Sequence, residues 1–250
     1  MSTFRSRAAV VIAVDDTDIP GQGGTGNVAR RIAERLSTTY PVWGVTRHQF
    51  AVLPEIPYTA RNSGNVVHLL AGPEALEPLA DEVVGWVRAL HIEGSEPGIC
   101  VARVEALLDQ PLGCEAQRRF VHRSEAWAAA AAAGVILRHA IEADDGIVGA
   151  FAGACLAAQG DDGRFVQVGR MRALAGDVQV ADVLAAGGDE VRSVEGEPVT
   201  QGLVRAEKVR PALREGRCVV YCRWADGVWL PVHGAPGDKE REEEDRLHAR

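Results

Sequence analysis

Residues 8–18 constrain this chain more than any other segment. Val10-Val11-Ile12-Ala13-Val14 is apolar without alternation, and Asp15-Asp16-Thr17-Asp18 then places three carboxylates and a hydroxyl in four positions. An unbroken apolar run of this length reads as a buried strand that delivers its acidic end to a loop. The following residues, Pro20-Gly21-Gln22-Gly23-Gly24-Thr25-Gly26-Asn27, are glycine-rich and lead into a helical pattern with Val28, Ile32 and Leu36 on one face. Strand, acidic tip, glycine loop and helix N-terminus together suit a metal-bound polyphosphate, because backbone N–H groups at a helix start favour anions.

The periodicity extends this beginning into a fold. Strands are predicted over 8–15, 42–51, 64–71 and 98–103, and helices over 26–38 and 74–91. The order β-α-β-β-α-β is that of a split βαβ, ferredoxin-like unit. The class is therefore α/β (α+β): a ferredoxin-like half over 1–104, a second α/β segment over 105–234 and a charged tail over 235–250. Within the second segment a helix is expected from about Cys114 to Ala133, ended by Gly134. A strand at Val135–Leu137 follows, then a small-residue helix, Ile147 to Ala158, whose Gly149 and Gly153 permit close packing. A last pair of strands, about Arg217–Arg223 and Gly227–Val232, turns at Ala225-Asp226-Gly227. The stretch from Pro54 to Gly64 holds two prolines, Arg61 and Asn62-Ser63-Gly64, and reads as a long ordered loop of the functional kind. No internal repeat is present.

Composition excludes several classes. With 250 residues and 46% hydrophobic content the chain can bury a real core. No run approaches the roughly 20 apolar residues of a membrane span. Met1 to Arg7 runs straight into the first strand, so no signal peptide is expected, and five cysteines without metal-type spacing read as reduced thiols of a cytoplasmic protein. Cys218 and Cys222 would sit about 13 Å apart in an extended strand. The net charge of −8 argues against a protein that grips nucleic acid unaided. The arginine groups 30, 31, 35 and 118, 119, 123 read as solvated helix faces. Lysine is confined to Lys208 and Lys239. A Walker loop is thereby excluded, since Asn27 and not lysine follows Gly26. An aspartyl phosphatase using Asp16 and Asp18 lacks its phosphate-holding lysine for the same reason.

Were the first strand to continue, Asp16 and Asp18 would share one face and Asp15 the other. One face would offer oxygens to Mg²⁺, while Asp15 held a second ion or oriented the loop; the alternative is ordinary turn and cap chemistry. Thr25 is either a hydroxyl ligand or a helix cap. Arg61 is either a phosphate clamp or the partner of a nearby aspartate. His48 and His68 are expected as half-buried strand residues, and His139 as a slightly more interesting one.

The motif order resembles the catalytic kinase-like domain of the archaeal tRNA(Ile) 2-agmatinylcytidine synthetase family. That family's Asp-Asp-Thr-Asp signature is matched at Asp15 to Asp18, and its Gly-x-Cys-Thr-Thr loop is similar to Gly23-Gly24-Thr25-Gly26, with one threonine kept. Its Asn-Pro-x-Ile-Pro-x-Lys-Thr-Arg-Gly-Asn-Gly motif resembles the stretch from Pro54 to Gly64. Pro97-Gly98 is similar to a Pro-Gly before a strand, and Gly146-Ile147-Val148-Gly149-Ala150 to Gly-Leu-Ile-Gly-Ala. The likeness spans roughly residues 8 to 235. Departures are Thr59 at the family lysine, Asp145 at an arginine of a Gly-Arg-Gly segment, and no Cys-x-x-Cys pair of a zinc ribbon.

The resemblance implies an ATP- and Mg²⁺-dependent phosphotransferase or synthetase that phosphorylates a carbonyl oxygen, with an amine then displacing the phosphate. Asp15, Asp16 and Asp18 would hold metal. Thr17, Gly23, Gly24 and Gly26 would bind the nucleotide. Asp16, Thr25 and Arg61 would be catalytic, Thr25 as a phosphorylated residue. The expected partners are a nucleotide and a small-molecule substrate, with nucleic acid unlikely unaided, no membrane, and a homo-oligomer as an option. Two alternatives stay open: a non-catalytic nucleotide-binding or regulatory module, and a tRNA-modifying enzyme whose RNA-binding part comes from a partner.

Overall fold

A computed structural model describes residues 7–19, 24–56, 62–143 and 145–237. In chain order the elements are β1 (Val10–Asp15), α1 (Thr25–Leu36), β2 (Val42–Gln49), β3 (Ser63–Leu69), α2 (Leu76–Ala89) and β4 (Gly98–Arg103). Three helices follow, α3 (Val104–Leu107), α4 (Leu112–Ala116) and α5 (Arg123–Ala133), then β5 (Ile136–His139), α6 (Gly146–Gln159) and β6 (Arg164–Val168). The chain continues through β7 (Asp177–Gln179), α7 (Val180–Ala185), β8 (Glu190–Ser193), β9 (Leu203–Arg205), β10 (Ala212–Arg214), β11 (Arg217–Ala225) and β12 (Val228–Pro231).

The first six elements form the expected ferredoxin-like half. Their strands lie in the order β4-β1-β3-β2, with every neighbouring pair antiparallel. The sheet extends from β4 to β5 on one side and from β2 through β6 and β10 to the strands beyond. β1 is central, and Val10 to Val14 are all fully buried. Ile12 and Val14 face α1 and α2, whose Ile32, Leu36, Leu79 and Val83 complete one core. Val11 and Ala13 face the opposite layer, built on α6. Each large side chain so buried contributes about 1.5–3 kcal/mol.

α6 explains how that second layer fits. All its residues except Val148 and Gln159 are buried, as expected for a helix apolar all round. It packs on β1, β3 and β4 and is covered in turn by α3, α4 and α5. Its glycines set the spacing. A Cβ on Gly98 of β4 would fall inside the Gly146 backbone, and a Cβ on Gly64 of β3 would lie 2.9 Å from the Gly149 carbonyl oxygen. Neither strand can carry a side chain there without pushing the helix off the sheet.

Two sequence expectations change. The helix expected from Cys114 to Ala133 is two helices, because Val121 turns into the core and His122 adopts an extended conformation that caps α5. Glu125 accepts from the His122 N–H at 2.8 Å, and Arg119 ties Glu115 to Glu125 across the break. His48 and His68 are fully buried, not half-buried. The β11–β12 hairpin turns where expected, with Asp226 and Gly227 both at positive φ. All five cysteines are free thiols, four of them buried. No helix among the described residues is long and apolar enough to cross a membrane.

Candidate functional site

β1 ends at Asp15, and Asp16 turns the chain with φ 51°, a left-handed conformation that an aspartate tolerates better than most residues. The Glu96 N–H donates to Asp16 Oδ2 at 2.9 Å and fixes the turn. The strand therefore does not continue through Asp18, and simple alternation does not assign the faces of the three carboxylates. Glu96 also joins the turn to α6: its carbonyl accepts from the Gly146 N–H at 3.0 Å and its carboxylate from the Asp145 N–H at 3.2 Å. Asp15 points at α6, where its carboxylate occupies the space a side chain on Gly149 would need.

The result is a cleft of about 930 Å³ at the end of the sheet. Asp15, Asp16 and Asp18 line it together with Gly24, Thr25 and Gly26 at the start of α1, and Asp145 and Gly149 at the start of α6. Two helix N-termini from opposite layers thus open onto one acidic tip. Each carries a partial positive charge and unsatisfied N–H groups. Thr25 Oγ1 donates to Asp18 Oδ1 at 2.7 Å, so its hydroxyl proton is already directed at a carboxylate.

The electrostatics are lopsided. Burial pushes Asp15 up to about 7, opposed by the Asp16 N–H; Asp16 and Asp18 raise it further, and Arg47 works the other way. Burial also raises Asp16, helped by Asp145, Asp18 and Glu96 and resisted by the Glu96 N–H. Among the described residues no three histidine, cysteine or acidic side chains come together as a metal cage. Asn65 is buried (2% exposed), lines the cleft, and its Oδ1 has no hydrogen-bond partner. That oxygen lies 3.3 Å from where a Cβ on Gly26 would sit.

Not every expected site residue joins this cleft. Thr17 turns into an adjoining groove. Gly23, Thr59 and Arg61 lie outside the described residues. Sequence reasoning missed Arg47 on β2, Asn65 on β3, and Arg119 and Arg123 at the mouth. Arg47 and Asn65 are cross-strand neighbours, but β2 and β3 also carry Thr46, His48, Gln49 and His68, so no isolated polar break in an apolar strand singled them out. Arg119 and Arg123, expected as a solvated helix face, border the cleft because the helix breaks. Arg123 lies 3.4 Å from Asp145, which offsets part of that residue's reversed charge. His139 stays outside, exposed, with its ring bonded to the Ile141 carbonyl.

A second polar cluster lies beneath the sheet. His48 Nδ1 is 2.8 Å from Asp162, His48 Nε2 is 2.8 Å from Thr46 Oγ1, and the same hydroxyl is 2.7 Å from His68 Nε2. Gln117 donates to the other Asp162 oxygen at 2.9 Å. Thr46, His48 and His68 are fully buried, and Asp162 closes the chain from the surface side.

No protein-family model matches the sequence, and no curated protein matches it. Solved structures do. Apo TiaS, an agmatidine synthetase acting on an isoleucine tRNA, aligns over 58% of this chain and 35% of its own, with 20% identity and a TM-score of 0.50. A tRNA fluorescent labeling enzyme aligns over the same shares with 22% identity and a TM-score of 0.51. TiaS in complex with its tRNA and ATP aligns over 58% and 36%, with 21% identity and a TM-score of 0.51. This chain thus spans about a third of the length of those structures, and the resemblance read from the motifs holds at the level of fold. One expectation is corrected. Similar structures hold tRNA, so an acidic net charge is no ground for setting nucleic acid aside. Phosphate contacts depend on local charge, which a net sum hides.

Proposed function

We propose that the cleft binds Mg²⁺-ATP and that the chain is the ATP-dependent part of an RNA-modifying synthetase, activating a carbonyl oxygen of a base. The observation that carries this reading is the meeting of the α1 and α6 N-termini at the Asp15–Asp18 tip, in one cleft large enough for a nucleotide. TiaS complexes with tRNA and ATP, and with tRNA, AMPCPP and agmatine, support the same substrate classes.

The residues fit the ion. Every donor at the tip is a hard oxygen, and Mg²⁺ in nucleotide sites is usually held by one or two carboxylates plus the phosphates, not by a protein cage. Carboxylates that burial and mutual repulsion hold above their ordinary range are relieved by a divalent cation. Bound ATP supplies the phosphoryl group, and Mg²⁺ spreads its charge. The chain's own part is binding and orientation. One or two of Asp15, Asp16 and Asp18 would hold the ion, and the N–H groups of Gly24 to Gly26 and of the first turn of α6 would be turned to the phosphates. Thr25 would receive or position the γ-phosphoryl group: as its oxygen bonds phosphorus the bond to ADP breaks, ADP leaves, and the hydroxyl proton passes to Asp18. Asn65 Oδ1 would accept a hydrogen bond from the nucleotide.

Isothermal titration with ATP in the presence and absence of Mg²⁺ tests the reading. Binding should require the ion and disappear in Asp16→Asn. With γ-labelled ATP, label should reach protein through Thr25 and be lost in Thr25→Val, which retains nucleotide affinity. ATP binding that ignores Mg²⁺, or that survives Asp16→Asn, sinks the assignment.

A further inference from the structure

One face of the β2–β3 pair sends Val45 and Val67 into the core under α1. Toward the cleft the same face turns polar. Alternation places Arg47 and Gln49 on it after Val45, and Asn65 and Ser63 beside Val67. Arg47 stands directly opposite Asn65, and Gln49 directly opposite Ser63. Of these, Arg47, Ser63 and Asn65 line the cleft. The patch is organised around the arginine, which donates from Nε to Ser63 Oγ at 2.9 Å and from Nη2 to Gln49 Oε1 at 3.3 Å. Both acceptors are neutral, so they aim the guanidinium without cancelling its charge.

The strands fix where that charge sits. Asn65 pairs with Arg47 on one side and with Val14 of β1 on the other, and Val14 leads straight into Asp15. Asn65 Oδ1 lies 3.3 Å from where a Cβ on Gly26 would sit, next to Thr25. Arg47 is therefore about 5 Å, one strand spacing, from the residue beneath the start of α1, and Asp15 feels its charge. On the far side of β2, Arg164 of β6 is directly opposite Arg47. Like charges so placed weaken a sheet, and an anion beside them reduces that cost.

Among the described residues three arginines and no lysine line the cleft. Arg119 is tied to Glu115 and Glu125, and Arg123 lies 3.4 Å from Asp145, all at the exposed mouth. Arg47 is the one carried by a strand that is paired on both sides. A cation fixed in this way needs no rearrangement when charge develops beside it.

We propose that Arg47 is a catalytic residue of the phosphoryl transfer, its planar fork turned to the γ-phosphoryl oxygens. The inference rests on the nucleotide reading of the cleft and supplies the cation for which no lysine is at hand. As the Thr25 oxygen bonds phosphorus and the bond to ADP breaks, the hydroxyl proton passes to Asp18. Arg47 keeps its own protons throughout and offsets the charge on the oxygens of the group in transit.

The test compares the full chain with Arg47→Gln and Arg47→Lys. Isothermal titration in Mg²⁺ measures affinity for ADP and for the β,γ-methylene analogue of ATP, and γ-labelled ATP measures transfer to Thr25. Arg47→Gln should leave ADP affinity within about twofold, weaken the analogue about tenfold and slow labelling about 10²-fold or more. Arg47→Lys, which keeps the charge and loses the fork, should fall between, and it carries the test if the glutamine variant does not fold. A parental ratio of analogue to ADP affinity in the folded variants overturns the proposal, as does labelling at the parental rate. An equal loss of both ligands also overturns it, because Arg47 would then serve the whole nucleotide or the Asp15 site. A parent chain that binds neither ligand removes the nucleotide reading, and this role with it, which separates that failure from an error about Arg47 alone.

Discussion

The chain buries two groups of polar side chains, and they are built on opposite terms. Around His48 nearly every polar atom has a partner: Asp162, Thr46, His68 and Gln117 close on one another in distances of 2.7–2.9 Å. At the end of β1, three aspartates line one cleft, two of them raised by burial and by neighbouring carboxylates, and the side-chain oxygen of Asn65 there has no partner. The first group stabilises the native state. The second is a local cost to stability, one that on the proposed function a bound cation and nucleotide would offset. On that proposal, satisfied burial belongs to architecture and unsatisfied burial to the ligand site.

Four measurements can break that contrast. The largest effect should come from Asp162→Ala, which leaves His48 buried without its carboxylate. Because Asp162 keeps 21% exposure, a loss of about 3 kcal/mol is expected by denaturant titration, with nucleotide affinity of the folded fraction unchanged. Next, Asp15→Asn should stabilise the chain by about 2 kcal/mol at pH 7.5 while removing Mg²⁺-ATP binding. Its carboxyl titrates near 7 in the fold and near 3.8 when unfolded, so the unfolded state holds fewer protons in that window and stability falls as pH rises through it. A melting temperature that drops in this variant would erase the distinction between the two groups.

The third effect is a slope. Burial, then the neighbouring His48, lowers His68 from 6.5 to about 3, so below pH 6.5 the unfolded chain binds the extra proton. Stability should fall on acidification by about 1.4 kcal/mol per pH unit toward pH 3. In His68→Gln that contribution should vanish from the pH–stability curve. The smallest effect is Asn65→Leu, which removes the unpaired oxygen and should change stability by less than about 1 kcal/mol while weakening ATP binding several-fold. Stability lost with affinity intact would make Asn65 a structural residue.

Much of this was legible in the sequence. The run Val10–Val14 announced a buried strand, and the β-α-β-β-α-β order named the ferredoxin-like half, because period and punctuation are local signals. Gly149 and Gly153 announced close packing, although not that Asp15 would fill the space over Gly149. What stayed hidden was non-local. The break between α4 and α5 depends on Val121 finding the core and on Glu125 reaching back to His122, so alanine-rich helix propensity overran it. Asp15 and Arg119 are far apart in the chain, and only the fold brings them to one cleft. The same reason explains the error over nucleic acid: a net charge of −8 averages over faces that the fold separates.

The glycine seam under α6 limits what can change around the cleft. The helix that aims its N-terminus into the cleft is also the centre of a hydrophobic layer, seated on Gly98 and Gly64 with no room to slide. The wall that α6 presents to the cleft is therefore held in place by the packing of the domain itself. Side chains that can change without disturbing the seam are those on the rim, such as Arg119 and Arg123 at the α4–α5 linker. On the proposed function, a different acceptor would be accommodated there and not at the seam.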